Sequence, residues 1–389
     1  MSFPSSASPT RRDWLRGAAL AGCASLAPLA QAQLVLSPPG PANRSGRLRM
    51  VQLLDMSAEQ QELSRDYSTG VRLAWAVEAA RGRVLSRIAL QTINTDGTTD
   101  SVRDALNSLQ QDPGVIGLVG TVGDRLAVQV QTEMRSRNLR LAHVAPWMAD
   151  SRFEADDSVA CLFASRATQL QQALSAMHGM GVNELCVIYA SAAEQALYDP
   201  QVAAMALAQK LRLSRLAAGP SQPLTAVASR IPASSAMVLC LATSAELAQL
   251  TQAMARLKDR RFVLGLGDVD APTLMQLAPG KGVPVILTQV VPNPSSSRLA
   301  VVESYRNKLN ELFEEAPSTI SLAGYLAGLY AAALVRDSGS SASRDSLLAQ
   351  VSRRAPQDLG GWRAEFKGDR RASRFVTHTL LGADGKLIG

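Results

Sequence analysis

From Arg49 onward, short apolar runs alternate with longer stretches of helical periodicity, and this rhythm restricts the fold more than any other feature of the chain. LRMVQLLDM, SRIALQTI, VIGLVG and LRLAHVA are separated by helical patterns over about Ser68 to Ala80, Asp100 to Gln111 and Asp124 to Arg137. The runs are short and mainly apolar, as strands covered on both faces require, so they predict a parallel sheet with helices above and below. Right-handed crossovers then make a doubly wound lobe. The rhythm restarts after SVACLFAS, with helices expected over Ala167 to Met180, Ala192 to Leu211 and Ala245 to Lys258 between ELCVIYA, SAMVLCLA, RFVLGLG and GVPVILTQV. Beyond Val291-Pro292-Asn293-Pro294 come helices at Arg298 to Phe313, Thr319 to Arg336 and Arg344 to Arg353, then a strand-like tail that turns at Ala383-Asp384-Gly385. The fold class expected is α/β with two doubly wound parallel-sheet lobes.

The first residues stand outside that pattern. TRRDWLRG is cationic, GAALAGCASLAPLA is apolar but too short to span a bilayer, and Ala30-Gln31-Ala32 forms an A-x-A cleavage site. We read 1–32 as an export signal and 33–48, with its Pro, Gly and Ser content, as a linker. Arg11-Arg12 resembles a twin-arginine signal, and Sec export stays open. Leu20-Ala21-Gly22-Cys23 resembles a lipoprotein box, yet about six apolar residues precede the cysteine, short of the ~7 to 15 of a hydrophobic region, so cleavage after Ala32 is expected instead. The remainder exceeds the ~250 to 300 residues at which a single core stops growing, which again argues for two lobes.

Composition excludes several functions. A formal charge of +7 comes from scattered arginine, and the clusters Arg256 to Arg261 and Lys367 to Arg374 lack interleaved aromatics for base stacking, so no nucleic acid partner is expected. His143, His178 and His378 lie far apart without a second ligand nearby, and no G-x-S-x-G elbow occurs, so neither metal, cofactor nor catalysis is expected. Cys186 and Cys240 lie mid-run in strands and read as buried; any disulfide among Cys161, Cys186 and Cys240 stays open. The glycines of VIGLVGTVGD are spaced G-x-x-G-x-x-G on the third strand and lack G-K-[ST], so they match no nucleotide-binding loop. A helix N-terminus after such a turn offers N–H groups suited to an anion or a carbonyl.

The segments VQLLDMSAEQQELSRDYSTGVRLAWAVEAA, GTVGDRLAVQVQTEM, LRLAHVAPWMAD, SLAGYLAGLYAAAL and LGGWRAEFKGDRRASRFVTHTLLGADGKLIG together resemble the branched-chain amino-acid (Leu/Ile/Val) binding family, the type I periplasmic substrate-binding subunits of ABC importers. The resemblance implies two lobes joined by three crossings, 49–159 with 290–373 and 160–289 with 374–389. It also implies a non-catalytic periplasmic protein that captures a small molecule, an amino acid or related compound, and delivers it to an ABC permease of the inner membrane. A ligand-sensing subunit for a membrane receptor is the alternative. Carried onto this sequence, the cleft residues would be Ser57, Val122, Gly123, Asp124, Trp147 and Met148 from lobe one, and Ser191, Glu194, Thr243 and Asp268 from lobe two. Family members that bind amino acids place hydroxyl and small residues where this chain has Gly123-Asp124. They stack tyrosines where it has Glu194 and Thr243, and use a glutamate near Leu266, two residues before Asp268. A ligand carboxylate would meet Asp124, so a neutral or cationic ligand against Trp147 and Met148 is expected. In the competing reading Trp147 packs beneath its loop, and Arg125 or Arg166 neutralises the acids.

Overall fold

The computed structural model describes residues 47–219, 222–257, 261–278, 283–366, 370–382 and 387–388; the expected export signal, most of the linker and the turn at Ala383-Asp384-Gly385 lie outside them. Five strands, β1 (Arg49–Asp55), β2 (Ala89–Thr95), β3 (Val115–Val119), β4 (Ala142–Val144) and β5 (Val159–Ala160), form one all-parallel sheet in the order β2-β1-β3-β4-β5. β1 and β3 are buried along their whole length, the burial their mainly apolar runs predict. The connecting helices are α1 (Gln61–Arg81), α2 (Thr99–Gln110) and α3 (Asp124–Ser136). α2 and α3 cover one face through Val102, Leu106, Leu126 and Val130, whereas α1 covers the other through Tyr67, Val71 and Ala74.

A second sheet repeats that topology. Its parallel strands β6 (Glu184–Tyr189), β7 (Arg212–Ala217), β8 (Met237–Leu241), β9 (Phe262–Gly265) and β10 (Val285–Gln289) run in the order β10-β9-β8-β6-β7, which is the first sheet's order once the strands are counted from β6. Helices α4 (Arg166–Gly179) and α5 (Ala192–Ala208) pack on one face, and α6 (Ser244–Met254) and α7 (Ala271–Leu277) on the other. The chain then returns to the first sheet with α8 (Ala300–Leu312), α9 (Thr319–Asp337) and α10 (Arg344–Arg353), all joining the core of α1. A short hairpin follows, β11 (Gln357–Asp358) with β12 (Arg363–Ala364). β13 (Thr377–Leu381) and β14 (Leu387–Ile388) finish as antiparallel strands beside β10. The chain thus passes between the sheets three times. The first and last passages are tied by the parallel bridge of Cys161 with Arg371 and by Ala372 N–H donating to Cys161 O at 2.9 Å.

Several elements differ from the sequence reading. α1 begins at Gln61, well before Ser68, because its first turns are polar and carry no apolar stripe to announce them. β7 begins directly after the helix expected to end at Leu211, in a stretch that reads as a loop: RLSRLA mixes arginine and serine with leucine and alanine without a continuous apolar run, as suits a half-exposed edge strand. SVACLFAS contributes β5 to the first sheet, and Leu162 to Ala164 pack in that sheet's core. α7 has seven residues, too few for periodicity to register. α9, with a mean hydropathy of 1.3, is long and apolar enough to cross a membrane, but 89% of that stretch is buried inside the protein.

Candidate functional site

In a sheet ordered 2-1-3-4-5, the connections from the first and third strands leave in opposite directions and open a crevice at the carboxyl ends between them. This chain has two such points, β1/β3 and β6/β8, and both border one cavity of about 790 Å³. Ala58 and Gln60 after β1 and Gly123-Asp124 after β3 line it from the first sheet, Glu194 after β6 and Ala242 to Ala245 after β8 from the second. That volume falls within the roughly 300 to 1,000 Å³ of small-molecule sites.

Seven of the ten positions inferred from sequence line the cavity: Gly123, Asp124, Trp147, Met148, Glu194, Thr243 and Asp268. The other three stand behind the wall. Ser57 accepts from Arg125 at 3.3 Å, Val122 is buried in a bridge with Trp147, and the Ser191 hydroxyl caps α5 by accepting from Glu194 N–H at 3.1 Å. Thr243 is similarly engaged, forming a capping box with Glu246 on α6. Gly123 caps α3 with φ at +89°, a conformation in which a side chain would be strained, so this glycine serves the turn.

Two of the three acids are paired, and the competing reading holds for them through Arg166. Asp124, at the first position of α3, accepts from Ala149 N–H at 2.7 Å and Asp150 N–H at 3.1 Å, and pairs with Arg166 at 2.9 Å. The same Arg166 nitrogen lies 3.3 Å from Asp268, and its guanidinium stacks on Tyr198 with 4.5 Å to the ring centroid. Arg166, the first residue of α4 beyond the Cys161 passage, therefore ties an acid after β3 to an acid after β9. Arg125 instead pairs with Asp55 at 2.7 Å. Burial pushes the Asp55 carboxyl up, but hydrogen bonds from Ser57 and Arg125 prevail and hold it below the usual range.

Glu194 differs. Its Oε2 is shielded and has no hydrogen-bond partner; burial and then the charge of Glu246 raise its pKa, against a backbone hydrogen bond from Ala190 and the charge of Arg166 that oppose them. Trp147 does both things the sequence left open. It packs between Tyr67 (5.9 Å between centroids) and Phe163 (5.0 Å, edge-on), is 7% exposed, and lines the cavity with what remains. Tyr198, absent from the sequence-based set, stands four residues after Glu194 and so on the same face of α5, a spacing that could have disclosed it. Arg371 supports this wall from the last passage: it pairs with Glu154 and donates to the carbonyls of Met148 (2.7 Å), Phe163 (2.8 Å) and Asp150 (2.7 Å).

The chain that folds into these two lobes matches a known family model, periplasmic binding protein, over residues 48–379. The chain belongs to the periplasmic binding protein family. A ligand-binding role and a periplasmic location follow from that membership. No curated protein matches the sequence. Among solved structures, an extracellular ligand-binding receptor from Verminephrobacter eiseniae superposes with a TM-score of 0.79 at 15% identity, covering 88% of this periplasmic binding protein and 100% of that chain. A substrate-binding periplasmic protein from Ralstonia solanacearum gives 0.77 at 21% identity, with coverages of 88% and 99%. A possible leucine/isoleucine/valine-binding protein from Rhodopirellula baltica gives 0.74 at 21%, with 88% and 96%. At these identities the likeness establishes the shared type I fold.

Asp66, on α1, accepts from the Ser318 hydroxyl at the start of α9. Burial pushes the Asp66 carboxyl up to about 6; the Ser318 hydrogen bond opposes this, and Asp270, Glu315 and Glu62 add to it. Its folded pKa lies above the unfolded 3.8, so the stability it contributes is full below pH 3.8 and lost as pH rises through about 6. Asp66→Asn should therefore stabilise the protein at pH 7.5 by about 1 to 3 kcal/mol, an advantage that fades by pH 4. Urea melts at both pH values measure it.

Proposed function

We propose that this protein is the substrate-binding subunit of an ABC importer, capturing a small molecule in the interlobe cleft by hinge closure and presenting it to an inner-membrane permease without chemical change. The observation that carries this reading is the cavity itself, lined from both sheets and crossed by Arg166. We take the lobes as 49–164 with 290–373 and 165–289 with 374–388, because β5 and Leu162 to Ala164 belong to the first core. The three connections suit a hinge. Export by a twin-arginine or Sec signal with cleavage after Ala32 places the mature chain in the periplasm, and Gly123, Asp124, Trp147, Met148, Glu194, Thr243 and Asp268 are the residues we assign to the ligand.

The test has two steps. Thermal-shift screening of the mature protein against a metabolite library should find a stabilising compound, since a ligand at 100 times its Kd adds ~2.7 kcal/mol. Small-angle scattering with that compound should then show a smaller radius of gyration. A library without a stabilising member, or an unchanged profile at saturation, overturns the reading.

A further inference from the structure

We propose that the cleft ligand is a monocation with an apolar body, an ammonium compound lacking a carboxylate, seated with its charge toward Glu194. The inference rests on the substrate-binding reading above and names the chemistry of that same site. It comes from an account of charge on the cavity wall. The three arginines that line the cavity are each already paired: Arg125 with Asp55 (2.7 Å), Arg152 with Asp150 (2.6 Å), and Arg166 with both Asp124 (2.9 Å) and Asp268 (3.3 Å). A ligand carboxylate reaching one of these guanidinium groups would have to share it with a carboxylate of the protein that already neutralises it, and so would gain little net charge attraction.

Cations meet the opposite situation. Arg166 divides one positive charge between two acids, and the Asp268 side chain is 47% exposed. Glu194 pairs with no arginine, and its shielded Oε2 has no donor. Glu246 stands close enough to raise the Glu194 pKa further and is itself bonded to Thr243 rather than to a cation. One inner acid with no ion pair of its own, acted on at a distance by an Arg166 already shared between two others, leaves a place for one positive charge. Across the cavity, Trp147, Met148, Phe163, Leu63 and Val128 form a wall without charge, where an aliphatic or aromatic body loses its water and an indole face favours a neighbouring cation.

Three probes that share a phenyl ring and differ in charge separate the possibilities: 2-phenylethylammonium, L-phenylalanine and 3-phenylpropionate, titrated calorimetrically into the mature protein at pH 7.5, with L-leucine as a fourth. The ammonium compound should bind at least tenfold more tightly than either zwitterion, and the propionate should give no heat. Glu194→Gln should weaken the ammonium compound at least tenfold while leaving the thermal melt of the free protein within a few degrees. The proposal is overturned by phenylalanine, leucine or phenylpropionate binding as tightly as the amine, by no binding of the amine at millimolar concentration, or by an unaltered affinity in Glu194→Gln. A carboxylate compound that closes the lobes in scattering would remove the ligand class and leave the substrate-binding reading standing. Only a library without any closing ligand removes both.

Discussion

Replacing Gly324 by valine should destabilise the protein by about 4 kcal/mol or more, above the ~1 to 3 kcal/mol usual for an overfilled core. The reason is what the new side chain would strike. A Cβ at Gly324 would lie 2.0 Å from the carbonyl oxygen of Tyr67, and one at Gly70 would lie 1.8 Å from that of Ser321, so α1 and α9 meet backbone to backbone. A flexible side chain could rotate aside, but two helix backbones must separate, and the layer of Tyr67, Val71, Ala74, Tyr325 and Ala331 opens with them. Gly179, at the end of α4 with nothing within 4 Å, is the control: alanine there should be neutral or gain up to ~1 kcal/mol. Urea denaturation of the two variants checks both statements, and equal midpoints would refute the packing account. Against a total stability of roughly 5 to 15 kcal/mol, the valine variant has little left.

Arg371→Met should cost about 3 to 5 kcal/mol, the penalty for breaking a buried ion pair from one side. The arginine side chain is 4% exposed, and its removal strands Glu154 together with the carbonyls of Met148, Asp150 and Phe163. Lysine should recover little of the loss, since one ammonium cannot reproduce a planar fork reaching four acceptors. The damage should also be local. Amide hydrogen exchange ought to accelerate around 147–154 before it does in β6 to β10, because the bonds lost hold the loop that carries Trp147 and Met148. Uniform acceleration across both sheets would contradict this role.

The two lobes were legible because their central strands have no solvent face. VIGLVG and SAMVLCLA must be apolar at every position, and such runs stand out without knowledge of the partner strands. β7 was not, since an edge strand may alternate polar and apolar residues like many loops and helix faces. The cleft loops followed from topology, so Gly123, Asp124, Trp147 and Glu194 could be named. Their electrostatics could not, because pairing is set across distance in the chain. Asp124 finds its counter-charge 42 residues away and Asp268 finds the same one 102 residues away. Sequence spacing left Arg125 and Arg166 as equal candidates for that pairing; only the fold separates them, turning Arg125 toward Asp55.

The aromatic packing of the cleft wall has an optical consequence. Three tryptophans fall among the described residues, Trp75, Trp147 and Trp362, and of these Trp147 alone lines the cavity. Trp75 is buried with its indole N–H donating to the Ile88 carbonyl at 3.1 Å, and Trp362 is buried 6.2 Å from Phe163, so both supply a steady ultraviolet background. Changes in the intrinsic emission of the chain are therefore weighted toward one indole, placed where a guest would touch it. The protein carries its own fluorophore at its binding wall and needs no attached dye.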